Sequence, residues 1–356
     1  MMRLNCLVLV LAMFSGRVQA DDSQVVFRSG EDGYHTYRIP GLVQTKQGTL
    51  LAFCEGRKTS GSDAGDIDLL LKRSVDGGKS WSQQQLVYEE GGDAPVTIGN
   101  PCPVVDQQTG TIWLPFCRDN DRVFMTHSID DGATWASPVE ITSNVKRDDW
   151  GWYATGPGHG IQLQRGPHAG RLVIPCDYRL KDKPRVGEFR HSHVIFSDDH
   201  GKSWLLGGVT GNFMNECEVV ERVDGSLLLC MRNYRGKNRR AFSVSTDGGA
   251  SWSEPKLHDD VFCPTCQASI HRFSLDPNIV LYSGPGGPGR SNLTIRMSRD
   301  DGATWPVSRV LFEGPSAYSE LAVLDSGDIV CLFEGGEKGS YETIRLARFR
   351  LEWLTK

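Results

Sequence analysis

The chain has no run of eighteen apolar residues, almost no helical periodicity, no excess of positive charge and no proline- or serine-rich linker. Each shortage excludes something. Without a long apolar run, the body of the chain offers no membrane-spanning helix. The most apolar segment is short: Leu4 to Phe14 follows Arg3 and precedes Val18-Gln19-Ala20, a small-residue cleavage pattern. Residues 1–20 therefore read as a secretory signal peptide, and the product is expected to be exported: secreted or periplasmic, or lysosomal in an animal host. Residues 21–356 show no break in composition and are expected to form a single domain. A formal net charge of −5 gives no general attraction to nucleic acid or to an anionic membrane. If the protein binds an anion, its positive charge must be concentrated locally.

Ten cysteines are present, and Cys6 would leave with the leader. Of the nine that stay, Cys54, Cys102, Cys117, Cys176, Cys230 and Cys331 lie in apolar runs, where cysteine behaves as a small hydrophobe. Cys263-Pro-Thr-Cys266 is a zinc half-site or redox pair in form, but no second CxxC accompanies it, which favours a structural or disulfide role.

What is abundant is a repeat. Five stretches share S-x-D-x-G-x-[ST]-W, beginning at Ser74, Ser128, Ser197, Ser245 and Ser298 and ending at Trp81, Trp135, Trp204, Trp252 and Trp305. Each is readable as a hairpin turn. The aspartate accepts backbone N–H bonds, the glycine supplies positive φ, and the tryptophan packs inward with its N–H free to find an acceptor. Strand-like runs such as IDLLLKRS and LTIRMS precede the boxes. Strands and turns at regular spacing predict an all-β protein. The box tryptophans recur about every 56 residues, so the mature length holds about six units of four strands each, which predicts a six-bladed β-propeller. Closing such a ring requires the N-terminal strand to join the last blade.

Arginines stand where apolar strands end. Arg38 lies in TYRIP beside a proline that disfavours helix, Arg232 ends the run Leu227 to Met231, and Arg290 follows the strand and glycine–proline loop IVLYSGPGGPG. Arginine is seldom buried without a partner, so each is either a solvated strand end or the receiver of an anion. Asp63 sits in a polar loop, Glu216 and Glu218 share one face of a strand, and Tyr318 precedes an apolar strand. Trp150, Trp152 and Tyr153 fit a ligand-stacking loop or a structural cluster equally well. His191-Ser-His193 has one-face spacing but no third metal ligand, so a structural strand pair is favoured. The basic stretch Arg232 to Arg240 reads as a solvated loop rather than a nucleic-acid patch, and Asn292-Leu-Thr294 is a glycosylation sequon placed inside a strand.

Taken in order, YRIP at 37–40, the five boxes, NECEVVERVDGSLLLCMR at 215–232, RSNLTIRMSRDDGATW at 290–305 and SAYSELAVL at 316–324 resemble the exo-α-sialidases (neuraminidases) of the non-viral bacterial and animal type. The resemblance covers the mature chain and implies a six-bladed propeller. By position it implies an arginine cluster at Arg38, Arg232 and Arg290, with Arg57 touching the far side of the sugar. It implies an acid/base at Asp63, ahead of its rivals Asp66 and Asp68, a tyrosine nucleophile at Tyr318, and Glu216 as its partner. The implied partner is a sialylated glycan. Three guanidiniums would grip the sugar's carboxylate, so Arg38 would find its partner in the substrate. A neutral phenol would avoid the repulsion that carboxylate exerts on an anionic nucleophile, and two displacements would give retention. The chemistry requires no metal or organic cofactor. A non-catalytic sialoglycan-binding propeller needs only the arginines, and a trans-sialidase-type transferase would use the same residues.

Overall fold

A computed structural model describes residues 23–356; the expected leader, 1–20, lies outside the described residues. Antiparallel strands dominate, and the α-helices among the described residues, Thr142–Val145 and Leu351–Thr355, are short. No helix there is long and apolar enough to cross a membrane.

Four sheets follow one another along the chain. The first contains Thr36–Gln44, Leu50–Arg57, Ile67–Ser74 and Gln85–Tyr88. The second is built on Ile112–Arg118, the third on Leu172–Leu180, and the fourth runs from Met214–Glu221 through Leu227–Asn233 and Arg239–Ser245 to Lys256–Phe262. Each box turn links the third and last strands of its unit. In the turn after Ile67–Ser74, Asp76 accepts the amides of Lys79 and Ser80, both at 2.9 Å, and Ser74 Oγ accepts the Gly78 amide at 2.8 Å. The other boxes repeat the aspartate bond, to the residue four positions on, at Asp130, Asp199, Asp247 and Asp300. The box glycine has positive φ, 86° at Gly78 and 84° at Gly302. The tryptophans pack inward, but none of their five indole nitrogens has a hydrogen-bond partner.

The six-bladed propeller expected from the spacing is corrected by the strand pairing. Four blade-like sheets form, and the rest of the chain makes one seven-stranded sheet that curls as a half-barrel. The cause is a single strand of 17 residues, Val307–Val323. Its first part pairs with Ser291–Ser298 and its second with Ile329–Gly335, the handover falling between Pro315, opposite Ser291, and Ser316, opposite Gly335. Turn spacing counts repeat units but does not reveal whether two units share one unbroken strand. This wide sheet packs on itself, with Leu281 and Ile295 against Cys331 and Phe333. Gln24–Arg28 forms its edge, paired with Thr343–Phe349, so the N-terminal strand does join the last sheet.

The core lies between sheets. Leu50, Ala52 and Cys54 face the last sheet through Val330, Leu332 and Leu346, whereas Leu51 and Phe53 face the second sheet through Ile112, Leu114 and Phe116. Strands covered on both faces need apolar residues at odd and even positions alike, which explains the unbroken run LLAFC. All nine cysteines among the described residues are buried free thiols, so Cys263 and Cys266 are structural and not disulfide-bonded; the Cys263 thiol meets the Cys266 carbonyl at 3.4 Å.

Candidate functional site

Three strands from different sheets meet at one cavity: Thr36–Gln44, Met214–Glu221 and Val307–Val323. The first packs against the third. Their leading residues, Ile39, Glu216 and Tyr318, line one cavity of about 560 Å³. The Tyr318 hydroxyl donates a short hydrogen bond to Glu216 Oε1. Arg232, from Leu227–Asn233, donates to Glu216 Oε2 at 2.7 Å and reaches the Tyr318 oxygen at 3.1 Å. The guanidinium carbons of Arg38 and Arg290 lie 5.0 and 5.4 Å from the centre of the Tyr318 ring. The structure thus brings the three arginines together around one phenol, although they are far apart in the chain.

Arg57 and Asp63 form the neighbouring wall. Arg57 is buried and held by Glu55 at 2.7 Å and by the Gly61 carbonyl at 2.7 Å; it holds Asp63 Oδ1 at 2.8 Å. The Asp63 side chain is 86% exposed, at the cavity rim, and lies 3.7 Å from Arg38 Nη1. Its rival Asp68 is buried and engaged elsewhere, accepting from Tyr34 Oη at 2.6 Å. The polar loop between Arg57 and Ile67 has no strand pairing of its own, which leaves Asp63 at the surface while the strands on either side are buried.

Electrostatics separates Tyr318 from Glu216. Burial pushes the Tyr318 hydroxyl well above its ordinary value, Glu216 adds to this, and Arg232, Arg38 and Arg290 only partly oppose it. Burial also works against an ionised Glu216, but Arg232, the bond from Tyr318 and the charge on Arg290 overcome it and hold that carboxyl below its usual range. In the free protein the phenol therefore keeps its proton and faces a carboxylate able to accept it.

One expectation about Arg38 needs correction. Its partner does not wait for a ligand: Nε donates to buried Glu334 at 2.6 Å. Glu334 also accepts the amides of Ile39 at 2.9 Å and Tyr318 at 3.1 Å, so one carboxylate pins two site strands. Tyr341 links two of the arginines, lying under Arg38 with 4.0 Å to its ring centre and accepting from Arg290 at 2.6 Å. Sequence reasoning missed both residues. Glu334 carried a usable signal, since it ends the apolar run IVCLF just as Arg232 ends LLLCM. Tyr341, in a loop, carried none.

The aromatic stretch divides. Trp150 is buried and stacked on Tyr178 at 3.6 Å, and Tyr153 is buried, whereas Trp152 lines the cavity beneath Arg190. The pair His191 and His193 is structural, its ring nitrogens meeting the Thr210 carbonyl and the Tyr153 hydroxyl. The basic stretch is not wholly a solvated loop: Arg240 is fully buried and donates to the Cys266 carbonyl at 2.8 Å.

A family model described as a BNR repeat-like domain matches residues 48–331. A sialidase of Micromonospora viridifaciens is 36% identical over 92% of this chain and 53% of its own length. A sialidase of Bacteroides fragilis is 32% identical over 87% of this chain and 62% of its own length, and mouse Sialidase-3 is 31% identical over 92% and 94%. The chain thus spans little more than half of those two bacterial relatives. Among solved structures, a Hadza microbial sialidase superposes with a TM-score of 0.83 at 31% identity, covering 93% of this chain and 69% of that one. An intramolecular trans-sialidase from Ruminococcus gnavus superposes at 0.79 with 19% identity over 94% and 98%, a likeness of fold alone. An all-β chain of repeated box turns thus concentrates three arginines around a tyrosine–glutamate pair, a local positive charge in a protein whose net charge is negative. The chain belongs to the sialidase family with BNR-type repeats.

Proposed function

We propose that the chain is an exo-α-sialidase that hydrolyses terminal α-linked sialic acid from glycoproteins, glycolipids or oligosaccharides with retention of configuration, and that it is exported. The observation that carries this reading is the Tyr318–Glu216–Arg232 contact, with Arg38 and Arg290 beside it. A site that only bound a carboxylate would need the guanidiniums. It would not need a buried phenol hydrogen-bonded to an ionised glutamate.

In this reading Arg38, Arg232 and Arg290 bind the substrate carboxylate, and Arg57 lies beside the sugar. Tyr318 Oη attacks the anomeric carbon as its proton passes to Glu216. Asp63 protonates the departing glycosidic oxygen. The resulting bond between Tyr318 and the sugar is then broken by water: Asp63 takes the water's proton, and Glu216 returns its proton to the leaving phenolate. A phenol as reluctant to ionise as Tyr318 needs such a partner, and the arginines lower the cost of the transient negative charge.

The test is release of a fluorogenic aryl group from an α-sialoside. The wild type releases it, while Tyr318→Phe and Asp63→Ala lose most turnover. Undiminished activity in Tyr318→Phe would remove the nucleophile from the scheme. Proton NMR of the first product distinguishes retention, which yields the α-anomer, from inversion. Product analysis with added acceptor glycans separates hydrolysis from transfer.

A further inference from the structure

Deeper in the fold, below the site, the same two strands carry a second pair of acids. Glu218 lies two residues past Glu216, and Glu320 two residues past Tyr318, so both acids come from the strands that carry the tyrosine–glutamate pair. Both are fully buried. His159, also buried, points Nδ1 at them: it makes a short contact with Glu320 Oε1 and lies 3.6 Å from Glu218 Oε2. One ligand atom from each of the three residues falls within 4.8 Å of the others.

The remaining partners resemble an outer shell built to orient ligands. The Ile270 amide donates to Glu218 Oε2 at 2.9 Å and Gln267 Nε2 to Glu218 Oε1 at 3.2 Å; Ser269 Oγ reaches Glu320 Oε1 at 3.4 Å. His271 Nδ1 meets His159 Nε2 at 3.1 Å. No lysine or arginine forms an ion pair with either acid among the described residues. Glu320 Oε2 is buried and no N–H or hydroxyl donor reaches it, so only a proton shared with Glu218 or a bound ion can satisfy it. It faces Gly158, where a Cβ would come within 2.8 Å of it and within 2.1 Å of Glu218 Oε1, so the missing side chain leaves room between the two carboxylates. A second cavity of about 460 Å³ is lined by His159 and His271 together with Leu42, Val220 and Ala322, and so reaches the histidine side of the cluster.

We propose that His159, Glu218 and Glu320 form a binding site for a divalent transition-metal ion of the zinc class, entered through this second cavity. Buried carboxylates are either paired, protonated or bound to a metal. One neutral imidazole and two carboxylates are a ligand set that suits zinc, with the fourth position open. Ligand atoms of a tetrahedral zinc site stand about 3.3 Å apart, so the short His159–Glu320 contact opens and the looser separations close by side-chain movement. His159 then binds through Nδ1 while its Nε2–H donates to His271, the kind of second partner that fixes a ligating histidine. A proton held between the two acids leaves to solvent as the ion enters. The ion would tie Met214–Glu221 to Val307–Val323 directly beneath Glu216 and Tyr318.

The test uses the full chain stripped with EDTA. Titration with Co²⁺ should give one equivalent per chain with the visible absorption of a four-coordinate ion, and Zn²⁺ should displace it and raise Tm by a few degrees. Glu320→Gln and His159→Gln should weaken Co²⁺ binding at least tenfold. Because either variant could misfold, the wild type decides independently: anomalous scattering at the zinc edge from crystals soaked in Zn²⁺ should place the ion between the three side chains. Uptake below one equivalent in the wild type, or a zinc peak elsewhere, would mean that the acids share only a proton, and the proposal would be wrong.

Discussion

At the level of single residues, the site depends on charges that are already paired before any ligand arrives. Glu334 accepts three hydrogen bonds from Arg38, Ile39 and Tyr318. Removing one partner of a buried pair costs about 3–5 kcal/mol. Glu334→Ala should therefore lower stability by that order in urea unfolding, in addition to impairing turnover; an unchanged midpoint would contradict the role given to it. Arg290→Ala should weaken substrate binding about ten- to a hundredfold, the loss expected for one charge-assisted hydrogen bond. Glu216→Gln should lower turnover by about 10²–10⁴. The pH profile carries a further expectation. Glu216 is held below its ordinary value of 4.5, so it is ionised at and above that pH and becomes protonated only as pH falls through the lowered value. The acid limb of kcat/KM that it governs should lie below the ordinary glutamate range and vanish in Glu216→Gln. Its contribution to stability has the same sign, present above the unfolded-state value and lost as pH falls.

At the level of elements, the box turns are interchangeable local devices. Each aspartate closes its turn with bonds to a serine or threonine four residues on, and in Asp300 one oxygen accepts the Thr304 amide at 2.8 Å and the other its hydroxyl at 2.6 Å. Asp300→Ala removes these together and should cost about 1–2 kcal/mol by thermal or chemical unfolding, with little change in KM because the turn lies away from the site. The hydrogen bonds that close these turns were legible in the sequence, because every partner lies within a few residues; the box indoles, expected to be free for an acceptor, meet none. The long strand Val307–Val323 was not. Gly314-Pro315 looks like a break, yet the pairing passes across it to the next strand, and that depends on partners at Ser291 and Gly335 which no local pattern names.

At the level of the whole molecule, the first and last strands of the described residues hold one sheet together. Val26 and Phe27, on the strand Gln24–Arg28, pack with Tyr37 and Leu346. Phe27→Ala should cost about 3–5 kcal/mol, and denaturant unfolding should show the loss as a lowered midpoint. A much smaller effect would mean that the N-terminal strand contributes little to closure.

By itself the sequence determined what short-range chemistry can determine: the all-β class, the turns, and the arginine, tyrosine and carboxylate residues that end or begin apolar strands. Tertiary structure decided what depends on residues meeting from distant strands. It made five sheets of the repeat units, gave Arg38 an internal partner in Glu334, and set His159 against Glu218 and Glu320. Local hydrogen bonds are written in adjacent residues. The pairing of buried charges is set only when the chain brings separate strands to one place, because a charge taken from water must find its compensation wherever the fold has put it.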